Sequence, residues 1–126
     1  VRGLEPSSEA LPIWAMRGID VEVGDATAMP FRNNQFDTVI SSHVIEHIHN
    51  DSLAVSEIIR VAKSRAIVVV PFGNVDEKNP GSPHVHYYNR INFRNLICSC
   101  CTKDESVEIY CLPHHHIDNL IAIIDK

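Results

Sequence analysis

The sequence predicts an α/β fold, with a mainly parallel sheet, helices on both faces and a C-terminal antiparallel hairpin. Three observations support this prediction. Short strand patterns alternate with helical patterns along most of the chain, and such alternation builds right-handed βαβ units. The run Ala66–Val70 is continuous and rich in β-branched residues, which is typical of a strand buried on both faces. The last two apolar runs flank Pro113 and three histidines, as in the loop of a hairpin.

Each element follows from its local pattern. Strict alternation of apolar and polar residues, or a short β-rich run, predicts strands at Arg2–Glu5, Ile19–Val23, Phe36–Ser42, Ala66–Val70, Ser106–Leu112 and Leu120–Ile124. Helical spacing predicts helices at Glu9–Arg17, from Asn50 to about Lys63, and at Ile91–Cys101. Ser7 and Asn50 are suitable N-caps, and Gly18 is a suitable C-terminal stop. Glycine, asparagine and proline predict a long loop from Asn74 to Pro83.

Composition limits the class of protein. A chain of 126 residues is expected to form a single domain over residues 1–126. Its 16 acidic and 11 basic side chains give a net charge of −5, so we expect no nucleic-acid partner. No apolar run approaches the length of a membrane helix, and no export signal is evident. We therefore expect a cytoplasmic protein without disulfides.

The late cysteines and histidines leave two interpretations open. Thiolates and imidazoles are the ligands that zinc prefers, so a metal-binding module is one interpretation. The spacing of Cys98, Cys100, Cys101 and Cys111 offers no matching pairs of ligands, however. The favoured interpretation is that Cys98 and Cys101 lie on one helix face as small buried apolar residues, and we predict no metal site.

Polar residues follow three of the predicted strands. Glu5 ends the first strand, Asp25 follows the second, and Ser41, Ser42 and His43 end the third. Ligands of open α/β sheets bind beyond the carboxyl ends of the strands. One carboxylate can accept hydrogen bonds from both hydroxyls of a ribose, and a second can accept from an exocyclic amine. The two acids therefore indicate a nucleoside pocket.

The chain also resembles a known family in three blocks, Glu5-Pro6-Ser7, Gly24–Phe31 and Phe36–His47. They are similar to the Rossmann-like class I S-adenosylmethionine-dependent methyltransferases, especially the methyltransferase type 11 group related to ubiquinone biosynthesis. Weaker similarity continues through Glu57–Lys63, Ala66–Pro71 and His86–Asn89. The resemblance implies S-adenosylmethionine as cofactor and a small-molecule methyl acceptor.

The resemblance also implies roles for individual residues. Glu5 would hold the ribose of the cofactor, and Asp25 would face the adenine amine. His43 and His47 are the candidate general bases. The full set of implied cofactor-binding residues is Glu5, Pro6, Ser7, Asp25, Ala26, Ser41, Ser42 and His43, of which the last three would line the methionine end and the substrate mouth. His84 and His86 lie in a loop that either covers the substrate pocket or, as the simpler interpretation has it, is an ordinary surface loop.

One part of the family pattern has no counterpart here. The family's first strand and its Gly-rich loop precede the ribose-binding acid, but Gly3 is the only glycine before Gly18. In the family, that strand lies between the strands that end here at Glu5 and Ser42. The chain could therefore be an inactive relic that serves as an interaction module. The relic would pair these two strands directly, or complete its sheet with a second copy.

Overall fold

Strands and helices are interspersed along the chain up to Cys100, and two antiparallel strands follow. The computed structural model describes residues 1–73, 81, 83–113 and 118–126. The strands are β1 (Arg2–Glu5), β2 (Asp20–Val23), β3 (Phe36–Ser42), β4 (Ala62–Pro71), β5 (Ser106–Leu112) and β6 (Asn119–Asp125). The helices are α1 (Leu11–Met16), α2 (Asp51–Val61) and α3 (Arg90–Cys100). Short 3-10 turns occur at Ser8–Ala10 and Ile45–His47.

The strands form two separate sheets. β1 and β2 make a parallel two-stranded sheet, and a four-stranded sheet has the order β3-β4-β6-β5. Within the larger sheet β3 and β4 are parallel, whereas β6 runs antiparallel to both β4 and β5. The predicted α/β class and the C-terminal antiparallel hairpin are confirmed. The sequence did not indicate that the returning strand, β6, would lie between β4 and β5.

The break between the sheets lies between β1 and β3. Within the described residues β1 pairs with β2 alone and β3 with β4 alone, so each strand has one unpaired edge. A cavity of about 700 Å³ separates them, lined by Leu4 on one side and by Val39 and Ile40 on the other. The resemblance implies that the family's first strand would lie in the position of this cavity. The direct pairing expected for a relic is not observed in the described part of the chain.

Helix α2 begins and ends for local reasons. The Asn50 side chain accepts a hydrogen bond from the Leu53 amide at 3.2 Å, which confirms the predicted cap. The buried face of the helix consists of Ala54, Val55, Ile58, Ile59 and Val61. The helix ends before the predicted Lys63 because Ala62 has an extended backbone (φ −73°, ψ 135°), and Ala62 is the first residue of β4.

The N-terminal helix is shorter than predicted. The Ser7 side chain accepts a hydrogen bond from the Glu9 amide at 3.2 Å, which confirms the cap. A 3-10 turn occupies the start of the predicted segment, and the α-helical part is only Leu11–Met16. Gly18 follows with φ of +69°, in the left-handed region that glycine adopts without strain.

The core lies on one face of the larger sheet. Alternate residues of β4 and β6, namely Ala66, Val68, Val70, Leu120, Ala122 and Ile124, are fully buried there. Helices α2 and α3 pack against each other and against this sheet, and Phe93 of α3 is also fully buried. On the opposite face Ile67 and Val69 are only half-buried, so the prediction that β4 is buried on both faces is not met. No element among the described residues covers that face fully, and Ile40 is 66% exposed there.

Two further expectations can be placed only in part. Most of the predicted loop from Asn74 to Pro83 lies outside the described residues, and so do His114, His115 and His116. Within the residues that are described, no helix has the length and apolar character needed to cross a membrane.

Candidate functional site

The two acids that the sequence singled out lie at the same edge of the smaller sheet. Glu5 is opposite Val23 in the β1–β2 ladder. The Gly24 amide donates a hydrogen bond to the Glu5 carbonyl at 3.1 Å, so the chain leaves β2 directly beside the end of β1. Asp25 is the next residue. The parallel pairing therefore brings the two carboxylates to one end of the sheet, as predicted.

Local hydrogen bonds hold the Glu5 carboxylate. Its Oε1 accepts from the Ser7 amide at 3.2 Å. Its Oε2 accepts from the indole Nε1 of Trp14 at 3.4 Å. A carboxylate has about four acceptor positions, so these two contacts orient the group and leave capacity for a ligand's hydroxyls. Ser7 thus contributes through its backbone, and Trp14 is a supporting residue that the sequence analysis did not identify.

Asp25 is fixed by its own loop. Its Oδ1 accepts from both the amide and the hydroxyl of Thr27, each at 2.8 Å. The backbone hydrogen bond, followed by the hydroxyl, lowers the pKa of Asp25 below its usual value. The carboxylate is therefore ionised at neutral pH and is a hydrogen-bond acceptor only. Ala26, the next predicted residue, is half-buried and packs against the main core.

An ion pair on α2 fastens the Asp25 loop to the larger sheet's core. The Met29 amide donates to Glu57 Oε2 at 2.8 Å. Arg60 donates to Glu57 at 2.6 Å and to the carbonyls of Phe31 and Met29 at 2.8 and 3.2 Å. Hydrogen bonding to Arg60 lowers the pKa of Glu57. The spacing of an acid and a base three residues apart on a helix was a usable signal, but the sequence analysis assigned this pair no role.

The polar residues at the end of β3 differ in their exposure to solvent. Ser41 is nearly buried, at 9% exposure, whereas Ser42 and His43 are exposed. The His43 amide donates to the Val69 carbonyl at 3.0 Å, and its φ of +54° lies in the left-handed region. That conformation costs a non-glycine residue roughly 1 kcal/mol.

Both candidate bases adjoin one buried carboxylate. Glu46 Oε1 lies 3.6 Å from Nδ1 of His43 and 3.8 Å from Nε2 of His47, and the Glu46 side chain has no exposed surface. The segment that follows residue 82 closes over it, because the Glu46 carbonyl accepts from the amides of Val85 and His86 at 2.8 and 3.1 Å. Glu46 belongs to the block Phe36–His47 that resembles the family, but its sequence position alone indicated no function.

The predicted covering loop contacts this cluster. The rings of His84 and His47 have centroids 4.6 Å apart. His86 Nε2 lies 3.1 Å from the carbonyl oxygen of His49. Tyr88 donates to Asp51 Oδ2 at 2.9 Å, and burial, assisted by this hydrogen bond, raises the pKa of Tyr88 far above its usual value. The Tyr88 hydroxyl therefore stays protonated and anchors the segment.

The cysteines do not follow their prediction. Cys98 is exposed, and Cys101 lies beyond the end of α3 with an extended backbone (φ −89°, ψ 152°). The prediction that both are buried on one helix face is wrong. Burial raises the pKa of Cys101 to about 12, and a protonated thiol is a poor metal ligand. The half-buried Cys100 and Cys101 instead pack against the core.

Comparison with known sequences identifies the chain's relatives. Residues 1–70 match the methyltransferase domain family. The chain is 38% identical over 52 residues to ajmaline N-methyltransferase of Rauvolfia serpentina, which covers 41% of this chain and 18% of the relative. It is 32% identical over 102 residues to a ubiquinone/menaquinone biosynthesis C-methyltransferase of Desulfotalea psychrophila. That match covers 81% of this chain and 41% of the relative. The chain thus spans less than half the length of these curated relatives.

Comparison with solved structures shows the same fold. A SAM-dependent methyltransferase of Thermotoga maritima, described as a possible histamine N-methyltransferase, superposes with a TM-score of 0.80 at 20% identity. The match covers 99% of this chain and 72% of that one. A SAM-dependent methyltransferase of Methanosarcina mazei superposes with a TM-score of 0.77 at 15% identity, and the match covers 100% of this chain and 81% of that one. With more than half of its residues matched to the family and the same fold throughout, the chain belongs to the methyltransferase domain family.

Proposed function

We propose that this chain carries the adenosine-binding part of an S-adenosylmethionine-dependent methyltransferase that acts on a small-molecule acceptor. The observation that carries the proposal is the pair of carboxylates at one end of the β1–β2 sheet. Glu5 and Asp25 lie on adjacent parallel strands or directly after them, and each is oriented by its own local hydrogen bonds.

The residues present fit the adenosine half of the cofactor. Glu5 Oε1 and Oε2 can each accept one further hydrogen bond, which matches the two hydroxyls of a ribose. The ionised Asp25 can accept from the exocyclic amine of adenine, with the Ala26 backbone beside the ring. Pro6 and Ser7 follow Glu5 in the chain and would contribute to this site through the backbone, since the Ser7 amide already orients the acid.

The methionine half of the site is proposed to lie at the end of β3. Ser41, Ser42 and His43 are the residues proposed to line it. The cavity between β1 and β3 lies beside this region. Within the described residues neither Glu5, Asp25 nor His43 lines that cavity. Ala26 and Ser41, which belong to the proposed cofactor-binding set, do line it, so the cavity adjoins the proposed cofactor pocket.

For methyl transfer, the main task of the protein is to position the cofactor and the acceptor. The bound cofactor supplies an electrophilic methyl group, and the chain's residues must align an acceptor atom with it. An acceptor that bears a proton needs a general base. His43 is the better placed candidate, because its ring is about half exposed at the end of β3. The Nδ1 of His47 is already directed to the Pro83 carbonyl at 3.4 Å.

The relatives do not assign the acceptor atom. One is named an N-methyltransferase and another a C-methyltransferase, and both names belong to proteins of which this chain spans less than half. We therefore propose a small-molecule acceptor without choosing between nitrogen and carbon. A cytoplasmic location, and a second copy of the chain that completes the sheet, stay predictions from the sequence.

Calorimetry with S-adenosylhomocysteine tests the proposal, using the longest natural form of the chain. We expect saturable binding that Glu5→Gln and Asp25→Asn each weaken by about tenfold to a hundredfold, because each removes a charged hydrogen-bond acceptor. Glu9→Gln and Asp37→Asn make the same chemical changes at exposed positions and should leave the affinity unchanged. No binding at millimolar ligand, or equal affinities in all variants, would overturn the proposal.

A further inference from the structure

Glu46 is a buried carboxylate in an unusual environment. Its side chain has no exposed surface, and neither carboxylate oxygen has a hydrogen-bond partner among the described residues. A buried carboxylate with neither a hydrogen-bond donor nor a cation beside it is strongly disfavoured. Native structures almost always satisfy such a group with a donor, a cation or a metal ion. Glu46 therefore indicates that a positively charged partner belongs at this place.

One of the two adjoining imidazoles, that of His47, presents a lone pair to this carboxylate. His47 Nδ1 lies 3.4 Å from the Pro83 carbonyl oxygen. A carbonyl can only accept, so Nδ1 carries the hydrogen and the neutral ring has its lone pair on Nε2. That Nε2 faces Glu46 Oε1 at 3.8 Å. Two acceptors directed at each other repel unless a cation lies between them. A histidine whose second nitrogen donates to a backbone carbonyl is also the usual arrangement of a metal ligand.

A third ligand atom completes the cluster. The His84 ring lies against the His47 ring at a tilt of 59°, and the ligand atoms of Glu46, His47 and His84 all lie within 4.8 Å of one another. Ligand atoms around a tetrahedral zinc ion are about 3.4 Å apart, given bonds of about 2.1 Å. Side-chain rotations that move each atom by less than about 1 Å would close the site. The hydrogen bonds of the Val85 and His86 amides to the Glu46 carbonyl hold the two segments together.

We propose that Glu46, His47 and His84 bind one divalent metal ion at the carboxyl end of β3. Two imidazoles and one carboxylate suit borderline ions such as Zn²⁺, Fe²⁺ and Co²⁺, whereas Mg²⁺ and Ca²⁺ prefer oxygen ligands alone. Three protein ligands leave a coordination position open, as in catalytic zinc sites. The site is distinct from the late cysteines, and its existence does not depend on the proposed methyl transfer.

Metal titration of the full chain tests this inference. The protein is purified without an affinity tag of histidines, stripped with a chelator, and studied in a background in which His114→Asn, His115→Asn and His116→Asn remove a competing run of imidazoles. Zn²⁺ binding is followed by calorimetry, and Co²⁺ binding by its visible absorption. We expect one ion per chain, no thiolate-to-cobalt charge-transfer band, and no binding of Mg²⁺ at the same concentration.

Matched variants separate the site from general surface binding. Glu46→Gln and His47→Gln should each weaken Zn²⁺ binding by at least about tenfold. His49→Gln, an exposed histidine beside the cluster, should bind like the parent. Because Glu46 is buried and its variant could fail to fold, the partly exposed His47 serves as the second variant, with circular dichroism as the folding control. Absence of stoichiometric binding, or equal affinity in Glu46→Gln, His47→Gln and the parent, would overturn the proposal. No S-adenosylhomocysteine is present, so this result is independent of the cofactor test.

Discussion

The β1–β2 sheet carries the proposed cofactor acids, whereas the β3-β4-β6-β5 sheet carries the buried core. Every fully buried apolar residue lies at Ile45 or later, and none of residues 1–40, all of which the structure describes, is buried. The acids therefore belong to the region with the smallest apolar burial, and apolar burial is the main source of folding free energy. Local hydrogen bonds orient each acid, and the contact of Met29 with Glu57 of α2 holds the loop that follows Asp25.

Few contacts bridge the two regions. The Glu57–Arg60 pair of α2 holds the loop between β2 and β3. The backbone edges of β1 and β3, which could have paired, face the cavity instead. The residues that form the buried core are therefore mostly different from those of the proposed binding site. We expect that substitutions can change the stability of the fold without changing ligand binding, and the reverse.

The largest expected difference comes from core truncation. Phe93 is fully buried, so Phe93→Ala should lower the free energy of unfolding by about 3–5 kcal/mol. Leu4 of β1 is only half-buried, and Leu4→Ala should cost less than about 2 kcal/mol. Urea unfolding followed by circular dichroism measures both. Equal effects would show that the N-terminal strands contribute to the core as much as α3 does.

Loss of the bridging ion pair should affect the two regions unequally. Arg60→Ala removes charge-assisted hydrogen bonds to Glu57 and to two carbonyls, and we expect a loss of about 2 kcal/mol. Hydrogen exchange should accelerate at the Met29 amide far more than at Val68 in β4. Arg94→Ala removes an exposed arginine from α3 and serves as the control. Uniform acceleration across both sheets would contradict the separate roles.

Acid should weaken the same bridge. The hydrogen bond from Arg60 lowers the pKa of Glu57 in the folded state, so its stabilising effect is present above the ordinary glutamate value of about 4.3. That effect is lost as the pH falls through the lowered folded value. Stability of the parent should therefore fall more steeply below about pH 4.3 than that of Glu57→Gln. Parallel pH profiles would show that this carboxylate is not linked to folding.

The smallest effect should come from the turn beside Asp25. A Cβ on Gly24 would lie 2.8 Å from Leu4 Cδ1 and 3.1 Å from Pro30 Cδ, so Gly24→Ala must move the end of the Leu4 side chain and press on Pro30 in the loop. We expect a loss of about 1 kcal/mol together with weaker S-adenosylhomocysteine binding. Gly18→Ala meets no atom within 4 Å but has φ of +69°. It should cost a similar roughly 1 kcal/mol through backbone strain without changing the affinity. Equal affinities in both variants would show that the loop's position does not matter for binding.

Local patterns predicted the elements well, because they depend on short-range physics. The strand Phe36–Ser42 was predicted with its observed bounds, and the caps at Ser7 and Asn50 follow from side-chain chemistry. The end of α2 was missed, because β4 begins at Ala62 as part of a long ladder with β3 and β6. Burial of β4 on one face alone also depends on what covers the sheet, which no local pattern records.

The sequence predicted two acids at the ends of neighbouring strands, and β1 and β2 are parallel and end side by side at Glu5 and Val23. The binding roles of Glu5 and Asp25 stay predictions. The burial of Glu46 could not be predicted from its local sequence. It depends on a segment more than thirty residues later, in which the amides of Val85 and His86 donate to the Glu46 carbonyl. The Glu57–Arg60 bridge depends in the same way on a distant loop.

Fluorescence of Trp14 tests the central claim most directly. Trp14 is the single tryptophan of the chain, and its indole donates to Glu5 Oε2 at 3.4 Å. A ligand that engages Glu5 must therefore alter the environment of this one fluorophore. We predict a saturable change in emission as S-adenosylhomocysteine is added, with the midpoint shifted to higher concentration in Glu5→Gln and unchanged in Glu9→Gln. An emission spectrum that stays constant up to millimolar ligand would contradict a cofactor site at the end of β1.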